Sequence, residues 1–449
     1  MIGREKIVTK TSSTIITTSQ LILVAFATAF FPRIIDLLGA PSIINFLHFI
    51  VVPLCCGFAL FKSHTKNKSQ ISIIYSLTIG LFILFTAVLV SAFLNEAGFI
   101  NLLIDFVLLG EPFLLLLAII SLSLTSESLT KFKKWLYIFF LIHLASIYIQ
   151  RYILRVDTWE WLGMVSWDRI QGVFLLSGAG HVVGASVSMS FCLYFFFSSK
   201  RSPLWLRSVI VLAGVCNVLI ADAKQVYLAF MVAGVILFLI KLKDPIRAIQ
   251  LLIGGIVILL IFVWCLENLE SFRAFNHWID PELYGPDGEA TLLKTATFRI
   301  VPSHYNSILN WFFGLGPGHT VGRLGGWMFR DYADLLLPLG ATQHIASKEV
   351  WQEVAFYYNG ARTSLFSPLF GWAGIWGDLG FVGLAAYINL CLLVWFNICR
   401  DSITKFLLLT VFVFGLIFSQ MEEPGYMLSI SAILGLNYQE KLVKPKTIL

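Results

Sequence analysis

The sequence predicts an all-α polytopic membrane protein, and three observations support this fold class. Of its 449 residues, 58% are hydrophobic and only 13% are charged, whereas a soluble protein carries about 25% charged residues. The apolar residues come in long blocks, as expected for helices that cross a bilayer. The basic residues lie in short tracts between these blocks, so the net charge of +6 does not indicate nucleic-acid binding.

About twelve apolar segments are close to spanning length, and they divide the chain into three regions. Residues 1–266 are predicted to form an N-terminal transmembrane region of about nine helices with a short outer loop at 154–179. Residues 267–365 form a large loop between the ninth and tenth spans, and residues 366–449 contain about three further helices. Loops of roughly 100 residues are uncommon and usually functional. The predicted spans lie near 17–38, 43–61, 71–94, 100–123, 135–153, 180–198, 205–220, 225–240, 248–266, 369–396, 405–420 and 425–437.

The distribution of lysine and arginine predicts how the chain is oriented. With a cytoplasmic N-terminus, the inner segments hold 20 basic residues and the short outer segments hold 5, namely Arg33, Arg151, Arg155, Arg169 and Lys224. Cytoplasmic loops carry the excess of basic residues in membrane proteins. We therefore predict that both termini are cytoplasmic and that the large loop is outside. The polar start of the chain predicts no cleavable signal peptide.

The cysteines and histidines predict no disulfide and no metal site. All 7 cysteines fall in or beside apolar runs and none forms a CxxC pair, so they are interpreted as small buried hydrophobic residues. The loop histidines lack a metal-binding spacing such as HxxxH.

The large loop contains a glycine-rich stretch, "GLGPGHTVGRLGG", at residues 314–326. It is not a P-loop, because no Lys-Ser or Lys-Thr follows. It follows "VPSHYNSILNWFF", which predicts a helix that begins at Pro302 and ends at Gly314. The stretch is therefore either a helix-ending turn or a backbone pocket for a phosphate or a sugar. Two more helices are predicted, in "FRDYADLLLPLG" and in "SKEVWQEVAFYYNG", where Ser347 is a candidate N-cap.

Four short motifs, together with the topology, resemble those of a known family. They are the helix followed by "GLGPG"; "SPLFGWAGIWGDLGFVGL", which contains Asp378; "RIQGVFLLSGAG", in which ten residues separate Arg169 from Gly180; and "LIADAKQVYLAF", which contains Lys224. This combination resembles the bacterial O-antigen polymerase and O-antigen ligase family, a group of GT-C-like glycan polymerases. The family usually has arginine where Lys224 stands. Ser367-Pro368 replaces a His-Asn pair that ligases tend to show, which favours the polymerase.

The resemblance implies glycosyl transfer at the periplasmic face of the bacterial inner membrane. An undecaprenyl-pyrophosphate-linked glycan would be the donor, the lipid pyrophosphate would leave, and no cofactor would be needed. The product would be an O-antigen, capsule or exopolysaccharide. The implied partners are the bilayer and a chain-length regulator and a flippase of the same pathway, with no nucleic acid.

Candidate site residues follow from this chemistry, because a departing diphosphate needs fixed cations. The predicted catalytic residues are the cations Arg169, Lys224, Arg299 and Arg362, with His319 and Glu349 as candidate bases. The predicted substrate-binding residues are Gly180, Gly314, Gly316, Gly318, Trp311 and Asp378. Each has a plain structural alternative, such as a solvated charge, an interfacial tryptophan or a packing glycine.

Three other functions remain open, the first of which is an O-antigen ligase that transfers the glycan to lipid A-core or another acceptor. A transporter or flippase is suggested by charged residues within apolar segments, because such charges are costly and usually functional. These are Arg33, Asp36, Asp105, Glu111 and His143, although Arg33 and Asp36 could pair with each other. A glycosyltransferase that uses polyprenyl-monophosphate sugars is the third alternative, with Asp36 as its acidic residue.

Overall fold

The computed structural model describes residues 17–443 except 64, 66, 163, 178, 243–244, 270–271, 273–279, 358–367 and 369–370. Residues 167, 245, 247, 248, 251 and 252 are described in their backbone only. All regular secondary structure in this part of the chain is helical. The predicted all-helical class is therefore confirmed for the described residues.

The region before the large loop is a series of helices joined by turns and by the short outer loop at 154–179. They are α1 (Thr18–Phe30), α2 (Pro32–Leu37), α3 (His48–Phe61), α4 (Lys68–Leu94), α5 (Phe99–Ser121), α6 (Ser126–Tyr148), α7 (Gly180–Ser198), α8 (Leu204–Ile220), α9 (Lys224–Lys241) and α10 (Pro245–Asn268).

The large loop contains four short helices, and three long helices follow it in the described chain. They are α11 (Glu289–Ile300), α12 (Leu309–Phe313), α13 (Phe329–Leu336), α14 (Ile345–Phe356), α15 (Gly371–Asn397), α16 (Ser402–Gly415) and α17 (Pro424–Val443).

Seven helical segments of the described chain are long and apolar enough to cross a membrane. They are Ser42–Phe61, Lys68–Leu94, Phe99–Ser121, Ser126–Ile153, Gly180–Ser198, Lys224–Lys241 and Gly371–Asn397. Shorter apolar helices cover Thr18–Phe30, Leu204–Ile220, Ile253–Asn268 and Ser402–Gly415. Length and composition thus identify a helical membrane protein.

Several predicted spans differ in detail from the structure, among them the first and the last. The first, at 17–38, is divided between α1 and α2, because Pro32 has no N–H to continue the helix and instead begins the next one. The last, at 425–437, is a longer helix that continues to Val443.

Helix α17 forms the centre of the bundle. Its residues Pro424–Gln439 are all buried, and the helix packs against α5, α7, α1 and α6. Its polar side chains bond to neighbouring backbone: the Gln439 amide donates to the carbonyls of Ile119, at 2.7 Å, and Leu122, at 2.9 Å. Such polar content explains why hydropathy identifies only part of the helix.

The helix ends gather on two faces of the bundle. On one, which we call the base, the Ser63 hydroxyl donates to the Ser121 carbonyl at 2.7 Å and Lys441 pairs with Asp401 at 2.7 Å. On the other, the loop face, Asn101 of α5 donates to the carbonyls of two loop residues, Pro317 at 2.8 Å and Thr342 at 2.9 Å. The large loop therefore packs directly on the bundle.

The loop helices match the sequence predictions in part. Helix α14 begins after His344, whose Nδ1 accepts the Ala346 N–H at 3.1 Å, so His344 and not Ser347 is the N-cap. The helix predicted from Pro302 is shorter, because a 3-10 turn at Val301–His304 precedes α12. Helix α13 ends at Leu336 and a 3-10 turn containing Pro338 follows it, close to the predicted stop.

Candidate functional site

The glycine-rich turn follows α12 and relies on three glycines with positive φ. These are Gly314 (+70°), Gly316 (+110°) and Gly318 (+71°), a conformation that glycine adopts without steric cost. A Cβ on Gly314 would lie 2.4 Å from the backbone of Asp378. The predicted helix stop at Gly314 is confirmed, and the turn packs closely on α15.

The turn surrounds a side chain of the protein itself, the carboxyl group of Asp378. The Gly318 N–H donates to Oδ2 at 3.0 Å, and the N–H and hydroxyl of Thr320 donate to Oδ1 at 2.7 Å and 2.6 Å. Successive backbone N–H groups in this arrangement commonly bind phosphates. Here the protein's own side chain, only 3% exposed, occupies the donors.

A fourth glycine with positive φ, in α15, completes the contact between the turn and this helix. Gly380 interrupts α15 at φ +64°, and a Cβ there would lie 2.3 Å from the backbone of Phe312. The carbonyl of Asp378 accepts from the Gly316 N–H at 3.0 Å and from the Ser91 hydroxyl at 2.7 Å. Three segments, α4, the turn and α15, are thus joined at one residue.

His319 is held as a neutral ring beside this turn. Its Nδ1 bonds to the Leu315 carbonyl at 2.8 Å and its Nε2 to the Thr342 hydroxyl at 2.8 Å. Burial lowers the pKa of His319 to about 4; the bond to Leu315 opposes this shift and His344 adds to it. Because both nitrogens are already bonded within the chain, His319 is poorly placed to act as a free base.

A second carboxyl group lies on the other side of the turn. A Cβ on Gly322 would lie 3.2 Å from Glu422 Oε2 and 3.3 Å from Asp378 Oδ2, so both groups flank this glycine. The Arg323 N–H donates to Glu422 Oε2 at 2.5 Å. Burial raises the pKa of Glu422 to about 8, the Arg323 N–H opposes this, and Asp378 adds to it. Burial therefore favours the protonated form of Glu422.

Next to Glu422 is a small cavity of about 40 Å³, which we call the arginine cleft. Its polar lining consists of Arg33, Asn45, His48, Ser177, Arg323 and Glu423. Arg323 forms an ion pair with Glu423. Arg33 donates to the Leu176 carbonyl at 3.1 Å and to the Tyr332 hydroxyl at 3.3 Å. Arg33 forms no ion pair with Asp36 or with any other residue that the structure describes.

The Arg323 guanidinium group of the cleft keeps its charge in spite of burial. Burial lowers the pKa of Arg323 to about 10, and the charge of Arg33 lowers it further, while Glu422 opposes the shift. His48 bonds to the fully buried Glu111 at 2.9 Å. The cleft therefore contains two cations, a carboxylate at Glu423 and a histidine that is fixed by a second carboxyl group.

Two predicted site residues, Arg169 and Gly180, contact other residues of the short outer loop. Arg169 donates to two carbonyls of its own loop, those of Met164 at 3.0 Å and Asp157 at 2.7 Å. Gly180 begins α7, and a Cβ there would lie 2.3 Å from the Phe174 carbonyl oxygen. Both residues hold the fold of the loop at 154–179.

Lys224 begins α9 and forms an ion pair with Asp222. Both residues of this pair lie close enough to Asp168 to affect its pKa. Burial raises the pKa of Asp168, His181 opposes this shift, and Asp222 and Lys224 have smaller effects. The structure thus brings Lys224 near the loop that carries Arg169, and neither of these two residues lines the arginine cleft.

The predicted residues of the large loop are dispersed. Arg299 is exposed and pairs with Glu353. Glu349 bonds to His304 at 2.7 Å and is half-buried. Arg362 lies outside the described residues. Neither Arg299 nor Glu349 lines the arginine cleft.

Trp311 belongs to a cluster of aromatic rings on the loop face. It contacts Tyr305 with ring centroids 5.2 Å apart, Trp376 at 6.1 Å and Phe381 at 6.4 Å, the last ring nearly parallel. Trp311 is 38% exposed, so its indole offers a free surface on which a sugar ring could lie.

Arg323 and Glu423 are not among the residues predicted from the sequence, and Arg33 is predicted only for the transporter alternative. A signal was present: Arg323 lies within the glycine-rich stretch, and "EEP" at 422–424 places two adjacent acids before the last apolar segment. The described residues contain no group of three or more His, Cys, Asp or Glu that could hold a metal ion.

In comparisons with known proteins, no protein-family model and no curated protein matches this chain.

Proposed function

We propose that this chain polymerises undecaprenyl-pyrophosphate-linked repeat units of an O-antigen, capsule or exopolysaccharide, with the arginine cleft as the diphosphate site. The observation that carries the proposal is the convergence of Arg33 and Arg323 from distant parts of the chain onto one cavity beside Glu423. Buried charges are costly unless they are used or paired. Two cations with a single directly paired carboxylate suit an anionic ligand.

The cleft supplies what the departure of a diphosphate requires. As the bond between the anomeric carbon and the phosphate oxygen breaks, the leaving diphosphate takes the electron pair and gains negative charge. Guanidinium groups bind phosphate oxygens through parallel hydrogen bonds. Fixed cations in a site with little water stabilise such charge more than they would in bulk solvent.

Glu423 is placed to accept the proton of the attacking hydroxyl. A hydroxyl oxygen of the acceptor sugar forms the new bond to the anomeric carbon, and its proton passes to the carboxylate. Because Glu423 is bound to Arg323, a diphosphate that competes for Arg323 would free the carboxylate. The cleft is narrow, at about 40 Å³, so entry of the diphosphate also requires the link between Arg33 and Tyr332 to open.

The proposal includes the location of the protein. Twelve spans, cytoplasmic termini and a periplasmic large loop would place the arginine cleft at the outer surface of the bacterial inner membrane. The grouping of the helix ends supports this, because the base collects segments that the charge distribution assigns to the inside. The loop face collects those assigned to the outside.

A gene deletion complemented by variants tests the function. Loss of a polymerase leaves glycans of a single repeat, and Arg33→Gln should fail to restore long chains although the protein inserts in the membrane. Arg299→Gln, an exposed arginine of the large loop, is the matched control and should restore them.

Other outcomes would overturn the proposal. Loss of attachment of every chain length would identify a ligase, and repeats trapped on the inner side would identify a flippase. Full restoration by Arg33→Gln would remove the arginine cleft from the reaction.

A further inference from the structure

We infer that the base of the bundle carries a binding site for the headgroup of an anionic phospholipid such as phosphatidylglycerol. The site is a cavity of about 1040 Å³, which we call the base pocket. Its walls are the ends of α6, α7, α16 and α17. The site takes no part in the proposed glycosyl transfer, which is placed on the loop face.

The first feature that carries the inference is an excess of positive charge. The pocket is lined by Lys133, Lys200, Arg201 and Lys441 but by only two carboxylates, Asp401 and Glu440. Each carboxylate already has its own cation: Lys133 contacts Glu440 at 2.5 Å and Lys441 contacts Asp401 at 2.7 Å.

Each carboxylate also accepts a hydrogen bond from an uncharged donor. Tyr194 donates to Glu440 at 3.3 Å, and the Asn437 amide donates to Asp401 at 3.1 Å. Of the four cations that line the pocket, Lys200 and Arg201 are the two that pair with neither carboxylate. Both lie in the turn between α7 and α8, and neither forms an ion pair with any residue that the structure describes.

The second feature is a set of hydroxyl groups among these charges. The pocket is lined by Ser126, Thr130, Ser198, Ser199, Ser202 and Ser402. Hydroxyl and ammonium donors together bind phosphate oxygens, and hydroxyls also bind the glycerol of a headgroup. A pocket for a simple carboxylate would not need so many donors.

The third feature is an apolar side that suits acyl chains. Leu129, Phe195, Phe197, Ile403 and Val443 line the same cavity, and α7 is long and apolar enough to cross a membrane. The polar part of the pocket lies where α7 ends and α6 begins, which is the level of lipid headgroups. Basic pockets between transmembrane helices bind anionic headgroups in other membrane proteins.

Charge also argues against the chain's own ends as occupants. The residues before 17 include Arg4, Lys6 and Lys10, and those after 443 include Lys444 and Lys446. A basic segment would be repelled by Lys200 and Arg201, whereas a phosphodiester would be attracted.

The test measures lipid binding to the purified full-length protein in detergent by native mass spectrometry. The probes are phosphatidylglycerol, phosphatidylcholine with the same acyl chains, and inorganic phosphate. We expect phosphatidylglycerol to bind in preference to phosphatidylcholine, and the variant K200A/R201A to weaken it about 30-fold. The matched control is K131A/K134A, which removes two exposed cations of α6 at the same face that do not line the pocket, and it should leave binding unchanged.

Three results would overturn the inference. Equal weakening by both variants would show a general attraction of the basic surface. Equal binding of the two lipids would show that the headgroup is not recognised. If inorganic phosphate binds as tightly and depends on Lys200 and Arg201 in the same way, the site serves a soluble phosphate and not a lipid.

Discussion

The glycine-rich turn and Arg323 of the arginine cleft are adjacent in the chain, yet the donors of the turn bind a carboxyl group whereas the cleft contains a guanidinium group without a carboxylate partner in the described part of the chain. In the turn, the donors of Gly318 and Thr320 are occupied by the carboxyl group of Asp378. In the cleft, to which Arg323 contributes five residues after Gly318, the Arg33 guanidinium bonds to the neutral oxygens of Leu176 and Tyr332 and to no carboxylate among the described residues. The turn thus resembles an anion site that is filled by a side chain of the protein itself, whereas the cleft contains a second guanidinium group, Arg33, in addition to the one that pairs with Glu423.

This difference shows how the two regions depend on each other. The turn fixes the backbone from Gly314 to Gly322 against α15, and Arg323 follows directly. A rigid turn thus positions a cation that would otherwise lie on a loop of roughly 100 residues. The glycines would serve catalysis by holding Arg323 in place, without touching the substrate.

The largest loss of stability is expected when the Asp378 carboxyl group is removed from the glycine-rich turn. Asp378→Ala would leave the N–H groups of Gly318 and Thr320 buried without an acceptor, at a cost of about 3–5 kcal/mol in the free energy of unfolding. Asp378→Asn, which keeps one acceptor, should cost about 1–3 kcal/mol. Thermal unfolding in detergent measures both.

The control is Asp331→Ala, because Asp331 is exposed and pairs only with Arg330. Surface pairs of this kind contribute about 1 kcal/mol or less. If the Asp378 and Asp331 variants unfold at the same temperature, the turn does not depend on its internal carboxyl group.

A smaller loss is expected when the glycines that join the turn to α15 receive a side chain. Gly314→Ala and Gly380→Ala force φ values of +70° and +64° on a residue with a Cβ, at about 1–3 kcal/mol each. The new Cβ atoms would also meet backbone at 2.4 Å and 2.3 Å. Gly57→Ala, in α3 with nothing within 4 Å, is the control and should be neutral or stabilising. Comparable melting temperatures for all three variants would contradict the close packing.

The pH dependence of stability tests the carboxyl group shared by the two regions. The pKa of Glu422 rises from 4.5 to about 8 in the folded protein, so between these values the folded state holds a proton that the unfolded state releases. Stability should therefore fall as the pH rises through this range. Glu422→Gln should flatten the decline, whereas Glu282→Gln, at an exposed residue, should not. An unchanged slope in Glu422→Gln would show that Glu422 is ionised in the folded protein.

The smallest effect is expected from Arg169. Its guanidinium holds two carbonyls of its own loop, and Arg169→Lys can replace only one of these bonds. We expect a loss of about 1 kcal/mol in stability and a modest shortening of glycan chains, seen by gel electrophoresis. Single-repeat glycans with an unchanged melting temperature would instead support the direct phosphate contact that the sequence predicts.

The sequence predicts the helices well because their signals are local. Long apolar runs such as 71–94 and 100–123 correspond to α4 and α5, and Gly314 ends α12 as predicted. The prediction is weaker for α17, because a helix buried by protein on all sides can carry Asn437 and Gln439. Hydropathy identifies segments that are apolar enough to face lipid, whereas α17 is buried by protein from Pro424 to Gln439.

The candidate site is less predictable because its residues meet only in the folded chain. Arg33 and Arg323 are far apart in sequence, and neither lies in a motif that the resemblance covers. Asp378 and the glycine turn were each identified, but the sequence could not show that one fills the other. Arg169 and Lys224 were chosen as outer cations, and their partners are loop carbonyls and Asp222.

The most direct measurement is the affinity of undecaprenyl pyrophosphate for the full-length protein in nanodiscs. Arg33→Gln removes a cation that pairs with no described carboxylate, so the protein should fold, while each lost charge-assisted hydrogen bond costs about 1.5–3 kcal/mol. We expect at least about tenfold weaker binding. Arg299→Gln should bind like the unaltered protein. Equal affinity of the Arg33 and Arg299 variants would contradict the assignment of the arginine cleft as the diphosphate site.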